Sequence, residues 1–177
     1  MNNNIQNLNM IENPEYVLNM IDSIKVEFRE EVFPKYNADQ NGNKLTRDAD
    51  SFYLTGHSPS FARILYECFD KQGEFYEDFS TESHKKIGHA IVKLGEHYYD
   101  ASGIVDFYLE QYPDNWKKCD SERFYFYQEF NCSKHEHNDE IEQELIEFGK
   151  KQLIEMKKNH SDNIIRKLVT KVPTNRK

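Results

Sequence analysis

Apolar residues recur at helical spacing along Val17, Leu18, Ile21, Ile24, Phe28 and Val32, which predicts an amphipathic helix over this stretch. Asn13 before Pro14 supplies a cap and a helix-starting proline, and Pro34 is expected to close the segment. The same signals return at Ser58-Pro59, followed by Phe61, Ile64, Leu65, Cys68 and Phe69 on one helical face, with an end expected before Gly73. The period then shortens to two. Glu74 to Phe79 reads as a strand with Phe75, Glu77 and Phe79 on one face, and Ala90 to Leu94, a Gly95-Glu96 turn and His97 to Asp100 read as a hairpin. Ile104 to Tyr112 suits a short strand or helix, and the aromatic run from Arg123 to Phe130 suits a further strand. From Asn138 the helical period resumes through Ile141, Leu145, Phe148, Leu153 and Met156, acidic at its start and rich in lysine later, as a helix macrodipole favours. Ser161-Asp162 is expected to cap one more helix carrying Ile164, Ile165, Leu168 and Val169. The pattern is that of an α+β protein: N-terminal helices packed on a small antiparallel sheet, then C-terminal helices, divided into a body, 1–137, and a helical extension, 138–177.

Composition sharpens this picture in two ways. Only 37% of the 177 residues are hydrophobic but 14% are aromatic, so the core must draw heavily on Phe and Tyr rings. The net charge of −8 is also unevenly distributed. Residues 1–149 hold 14 basic against 29 acidic side chains, a balance of −15, whereas residues 150–177 hold 9 against 2, a balance of +7. An acidic body repels nucleic-acid phosphates and suits a protein partner with a basic surface, while the basic tail is able to contact phosphates by itself. The chain has no long apolar run, and Met1 to Gln6 has neither the cationic nor the apolar region of a signal peptide, so the expectation is a cytoplasmic protein that does not enter a membrane. Cys68, Cys119 and Cys132 are odd in number and unpatterned, as expected of free thiols.

Two segments suggest metals and fall short. Residues 37–48 carry oxygen side chains at alternate positions before Gly42, as a calcium loop does, but Asn37 holds the first position and Lys44 the slot of an inward apolar residue. Cys132, His135 and His137 are zinc-ligand types without an evident fourth. With no glycine-rich phosphate loop either, no metal and no cofactor is expected.

The chemistry concentrates elsewhere. Ser58 stands where a helix begins, His89 at one end of the predicted hairpin and Asp100 at the other. A hydroxyl at a helix N-terminus, a base on an adjacent strand and an acceptor that fixes the imidazole form the layout of a nucleophile, base and orienter. Each residue also has an ordinary use: Ser58 as an N-cap, His89 as a partner within the sheet, Asp100 as the cap of a turn. Gly56, Ser58, Phe61 and Ala62, then His89, Ile91 and Val92, then Tyr98, Tyr99, Asp100 and Gly103 together resemble small bacterial papain-like domains, related in layout to transglutaminase-like proteins. The resemblance covers about residues 52–106 and implies a papain-like core in which Ser58 replaces the cysteine nucleophile; His57, just before Ser58, and Tyr98 and Tyr99 are candidate binding residues, the tyrosines reading first as core and cross-strand pairs. A serine hydroxyl is far less acidic than a thiol, so a helix dipole alone does not ionise it. The expectation is a non-catalytic interaction or inhibitor protein on a degenerate papain-like scaffold, of a kind that phages and mobile elements encode. Its acidic surface would engage a basic partner such as a nucleic-acid-handling protein. The alternative is a hydrolase or acyl transferase using Ser58, His89 and Asp100.

Overall fold

Asn13 starts the first helix as expected, its side-chain oxygen accepting from the Glu15 N–H at 3.0 Å and offsetting one of the unpaired donors of the opening turn. The computed structural model describes residues 10–36, 57–78, 89–120 and 139–170. Helix α1 spans Pro14–Glu27 and buries Val17, Met20, Ile21 and Ile24. The stop expected at Pro34 is not where the chain turns. The helix widens into a π-helical stretch, Phe28–Val32, and closes with an α-helical turn, Phe33–Tyr36. Proline has no N–H to return to Glu30 and its ring crowds the preceding turn; the wider turn, in which Phe33 N–H donates to the Phe28 carbonyl, makes room for it.

Helix α2 spans Ser58–Cys68, and its burial begins at the first residue: Ser58, Pro59, Ser60, Phe61, Ala62, Ile64, Leu65 and Cys68 are all buried. Asp70 and Lys71 then take left-handed conformations, with φ of 56° and 63°, which reverse the chain into the sheet.

The sheet is antiparallel throughout. Its strands are β1 (Glu74–Asp78), β2 (Ala90–Leu94), β3 (His97–Asp100), β4 (Gly103–Ile104) and β5 (Trp116–Cys119), in the order β4-β3-β2-β1-β5. The two hairpin strands carry the bounds their alternation predicts. Between β4 and β5 lies a short helix, α3, Asp106–Gln111, so the stretch from Ile104 to Tyr112 contributes both a strand end and a helix. Strand β5 carries no sequence signal of its own. It exists through pairing with β1, where Lys118 lies opposite Tyr76 and its ammonium meets the Glu74 carboxylate.

Alternation divides the sheet into two faces. Phe75 lies opposite Val92 and Cys119, Val92 opposite Tyr99, and Glu77 opposite Ala90; this face packs against α2. Helix α4 spans Asp139–Thr170 and covers α2 and α1. It corrects the expectation of two C-terminal helices. Ser161 does not cap a new one: its hydroxyl donates to the Lys157 carbonyl at 3.0 Å, a back-bond that leaves the helix unbroken.

Leu145, Ile146 and Leu153 of α4 join Met20, Phe28, Phe61, Leu65, Val92 and Tyr99 in one core cluster. The residues on either side of position 138 therefore share a single interior. At Gly149 the α4 backbone lies so close to the Cys68 side chain of α2 that an added Cβ would sit 2.2 Å from the sulfur. The calcium-like stretch 37–48, Phe79, the aromatic run 123–130, the Cys132, His135 and His137 cluster, and the side chains of Ile164, Ile165, Leu168 and Val169 lie outside the described residues.

Candidate functional site

Asp100 closes β3 and is 2% exposed. One carboxylate oxygen, Oδ2, lies 3.0 Å from His89 Nε2. The other, Oδ1, accepts from the Ser102 backbone N–H at 2.7 Å and from the Ser102 hydroxyl at 2.5 Å. Burial opposes ionisation of this carboxyl, yet the hydrogen bonds from His89 and Ser102 outweigh it and hold Asp100 below the ordinary carboxylate value. An ionised carboxylate only accepts, so His89 Nε2 is the donor of this pair and Nδ1 is the ring nitrogen turned away from Asp100. His89 and Asp100, expected as base and orienter, are thus brought together across the hairpin, 11 positions apart.

The imidazole is also enclosed by rings. Tyr108 of α3 and Trp116 of β5 meet it edge-on, with centroids at 5.9 and 6.0 Å, and the two aromatic rings stack on each other at 5.6 Å with planes 16° apart. Helix α3 is held over this place by a second imidazole–carboxylate pair: His97 Nδ1 lies 2.7 Å from Asp106 Oδ2, while Asp106 Oδ1 accepts from the Tyr98 N–H.

Ser58 arrives by a different route. It is the first residue of α2 and not its cap; His57 holds the cap position, its carbonyl accepting from Phe61 N–H at 3.1 Å. The Ser58 hydroxyl accepts from the backbone N–H of Ala90 at 3.2 Å. It therefore touches the residue next to His89, and no hydrogen bond joins Ser58 to the His89 ring among the described residues. Alternation accounts for this: Ala90 lies on the face that packs against α2, and His89 and Asp100 belong to the other.

The adjoining residues separate in the same way. Tyr99 is fully buried in the core with its hydroxyl unpaired, and burial, helped by the Asp106 charge, pushes the phenol up to about 12. Tyr98 packs edge-on against Tyr76 at 5.0 Å and lies under the Lys93 ammonium. His57 is 8% exposed. Three contributors were not singled out from the sequence: Ser102, Tyr108 and Trp116. The first had a signal, since an Asp followed two positions later by a hydroxyl is a turn motif; the aromatic pair had none beyond the rarity of the single tryptophan.

Glu77 is a fourth. It is 3% exposed, sits directly opposite Ala90, and its Oε1 has no hydrogen-bond partner.

Among the described residues no group of three or more His, Cys, Asp or Glu side chains is placed to hold a metal ion, and no helix is long and apolar enough to cross a membrane. Cys68 is a free thiol, and burial pushes it up to about 12. No family model, curated protein or solved structure matches the chain.

Proposed function

We propose that this chain is a non-catalytic interaction protein on a degenerate papain-like scaffold, whose acidic body engages a partner with a basic surface. The observation that carries the reading is the Ser58 hydroxyl, which accepts from Ala90 N–H and is not hydrogen-bonded to His89. A nucleophile needs its base within hydrogen-bond reach. The α2 dipole does not replace that base, because a serine hydroxyl is too weakly acidic for it to ionise. The charge balance of −15 over residues 1–149 supports the choice of a basic protein surface over nucleic acid. An inhibitor of a nucleic-acid-handling protein, as phages and mobile elements encode, has this character.

One observation favours the alternative. The His89–Asp100 pair is formed, with Asp100 buried and His89 partly so, as a hydrolase or acyl transferase built on Ser58, His89 and Asp100 would require. A serine-directed fluorophosphonate separates the two readings. The interaction reading expects no adduct at Ser58 and no ester hydrolysis above background. An adduct that is lost in both Ser58→Ala and His89→Ala would overturn it in favour of the hydrolase.

A further inference from the structure

Helix α3 and the segment after it leave their large side chains outside the core. No residue of α3 is buried, Phe107 is 45% exposed and Tyr112 57% exposed. Phe107 packs on Tyr108 with centroids at 4.3 Å and Tyr108 stacks on Trp116, so these three rings form an aromatic strip, and Tyr112, whose N–H donates to the Tyr108 carbonyl, follows one turn later. The chain segment that leads up to Trp116 is acidic, and Lys117 and Lys118 follow it on β5. Between Lys93 and Lys117 the chain has five acidic residues, Glu96, Asp100, Asp106, Glu110 and Asp114, and no lysine or arginine. Asp100 and Asp106 are occupied by His89 and His97, whereas Glu110, in α3, and Asp114, between α3 and β5, are exposed.

We propose that this strip is the docking surface for an arginine-bearing segment of a protein partner, an assignment that rests on the interaction reading above. Arginine is the side chain whose chemistry matches both components. Its planar guanidinium stacks on aromatic faces, is weakly hydrated, and forks onto carboxylates, whereas the lysine ammonium does the first poorly and is costlier to strip of water. Exposed aromatic residues beside charged ones are also the composition of interface hot spots. Nucleic acid is disfavoured, since phosphates would meet Glu110 and Asp114.

Trp116 is the single tryptophan of the chain, so its fluorescence reports on the strip directly. Full-length protein is titrated with nona-arginine and with nona-lysine at physiological salt. The expected result is a saturable change in Trp116 emission, with the arginine peptide binding about tenfold more tightly, the size of a desolvated cation–π contact. The pair Phe107→Ala and Tyr112→Ala, at exposed positions, is expected to keep the far-ultraviolet dichroism and a cooperative melt, and removes that preference while keeping the charge. Glu110→Gln with Asp114→Asn weakens both peptides. Equal affinity for the two peptides, or an arginine preference that survives the double alanine change, overturns the proposal. So does a dimer in sedimentation that the same change abolishes, which assigns the strip to a second copy, or tighter binding of duplex DNA than of the peptides. A fluorophosphonate adduct at Ser58 would sink the non-catalytic reading and leave these outcomes as they stand.

Discussion

The two oxygens of Asp100 do different work, and that division makes a pH prediction. Oδ2 faces His89 and Oδ1 faces two donors of Ser102, so the folded protein binds the ionised form better than the unfolded chain does. A carboxyl whose folded pKa lies below its unfolded value contributes stability that is present above the unfolded value and is lost as pH falls through the folded one. Asp100 is lowered in this way, so the acid limb of a stability–pH curve should fall below about pH 4, the ordinary aspartate range. Asp100→Asn should flatten that limb and cost about 1–3 kcal/mol at neutral pH, the penalty of disturbing a buried hydrogen-bonded charge, as urea melts at several pH values would measure. An acid limb unchanged in the variant would show that other carboxylates dominate. At Ser58 the relevant measure is reactivity. Ser58→Cys places a thiol at the N-terminus of α2, where unpaired N–H groups favour a thiolate, whereas the Cys68 thiol is pushed up to about 12 by burial. Iodoacetamide at neutral pH should modify the introduced thiol faster than Cys68, with mass mapping to identify the site; equal rates would mean that the α2 terminus does not activate a thiol. These residues show what the sequence made readable. Ser58, His89 and Asp100 stand out as residue types at suggestive positions, and the hairpin does join the last two. That Ser58 meets Ala90 instead of the imidazole depends on which face of β2 looks toward α2, a tertiary relation that no spacing along the chain contains.

Elements with a strong internal period were legible, and those formed by their neighbours were not. Helix α1 and the β2–β3 hairpin follow from their own caps, alternation and turn residues. Strand β5 has two lysines among its four residues and owes its conformation to the ladder with β1. The π-helical turn before Pro34 likewise reflects a missing N–H several residues further on. Packing between elements yields a prediction at Gly149. An alanine there would drive a methyl group to 2.2 Å from Cys68 Sγ, so Gly149→Ala should destabilise the protein by about 1–3 kcal/mol through overpacking, even after the roughly 1 kcal/mol that alanine gains in helix propensity. Cys68→Ala in the same chain should recover part of the loss, because it removes the atom that clashes. A double-mutant cycle by chemical denaturation tests this; additive losses would mean that the two helices adjust without the contact. Glu77 in β1 makes the opposite kind of prediction. A buried carboxylate with an unpaired oxygen costs free energy, so Glu77→Leu should raise the denaturation midpoint. A lower midpoint would show that the carboxylate has a stabilising role.

At the scale of the whole molecule, the abrupt change from an acidic body to a basic tail does not coincide with a change in packing. Charge patterning places the division near residue 150, yet α4 runs through it from Asp139 to Thr170. Leu145, Ile146 and Leu153 are buried with α1, α2 and the sheet. Beyond them the described attachment is thinner. Tyr16 of α1 hydrogen-bonds to His160 and meets its ring edge-on at 5.7 Å, and Ser161 and Asp162 are exposed. Two truncations therefore have different expected outcomes. A chain ending at Asn138 loses the helix that covers α2 and Cys68 and should give no cooperative melt, since several large apolar side chains would be left without their partners. A chain ending at Asn159 keeps every α4 residue of the core among those described and loses the Tyr16–His160 contact, a hydrogen bond of about 1 kcal/mol, which for a protein of this size corresponds to roughly 2–4 °C in melting temperature. It also sheds five basic residues and one acidic residue, moving the formal net charge from −8 to −12, so its stability should depend more steeply on salt, which screens the added self-repulsion. Calorimetry of the two truncated chains across ionic strength would decide the matter. A cooperative fold ending at Asn138 would make α4 an accessory to a self-sufficient body, whereas collapse of the chain ending at Asn159 would make the basic segment part of what holds the body together.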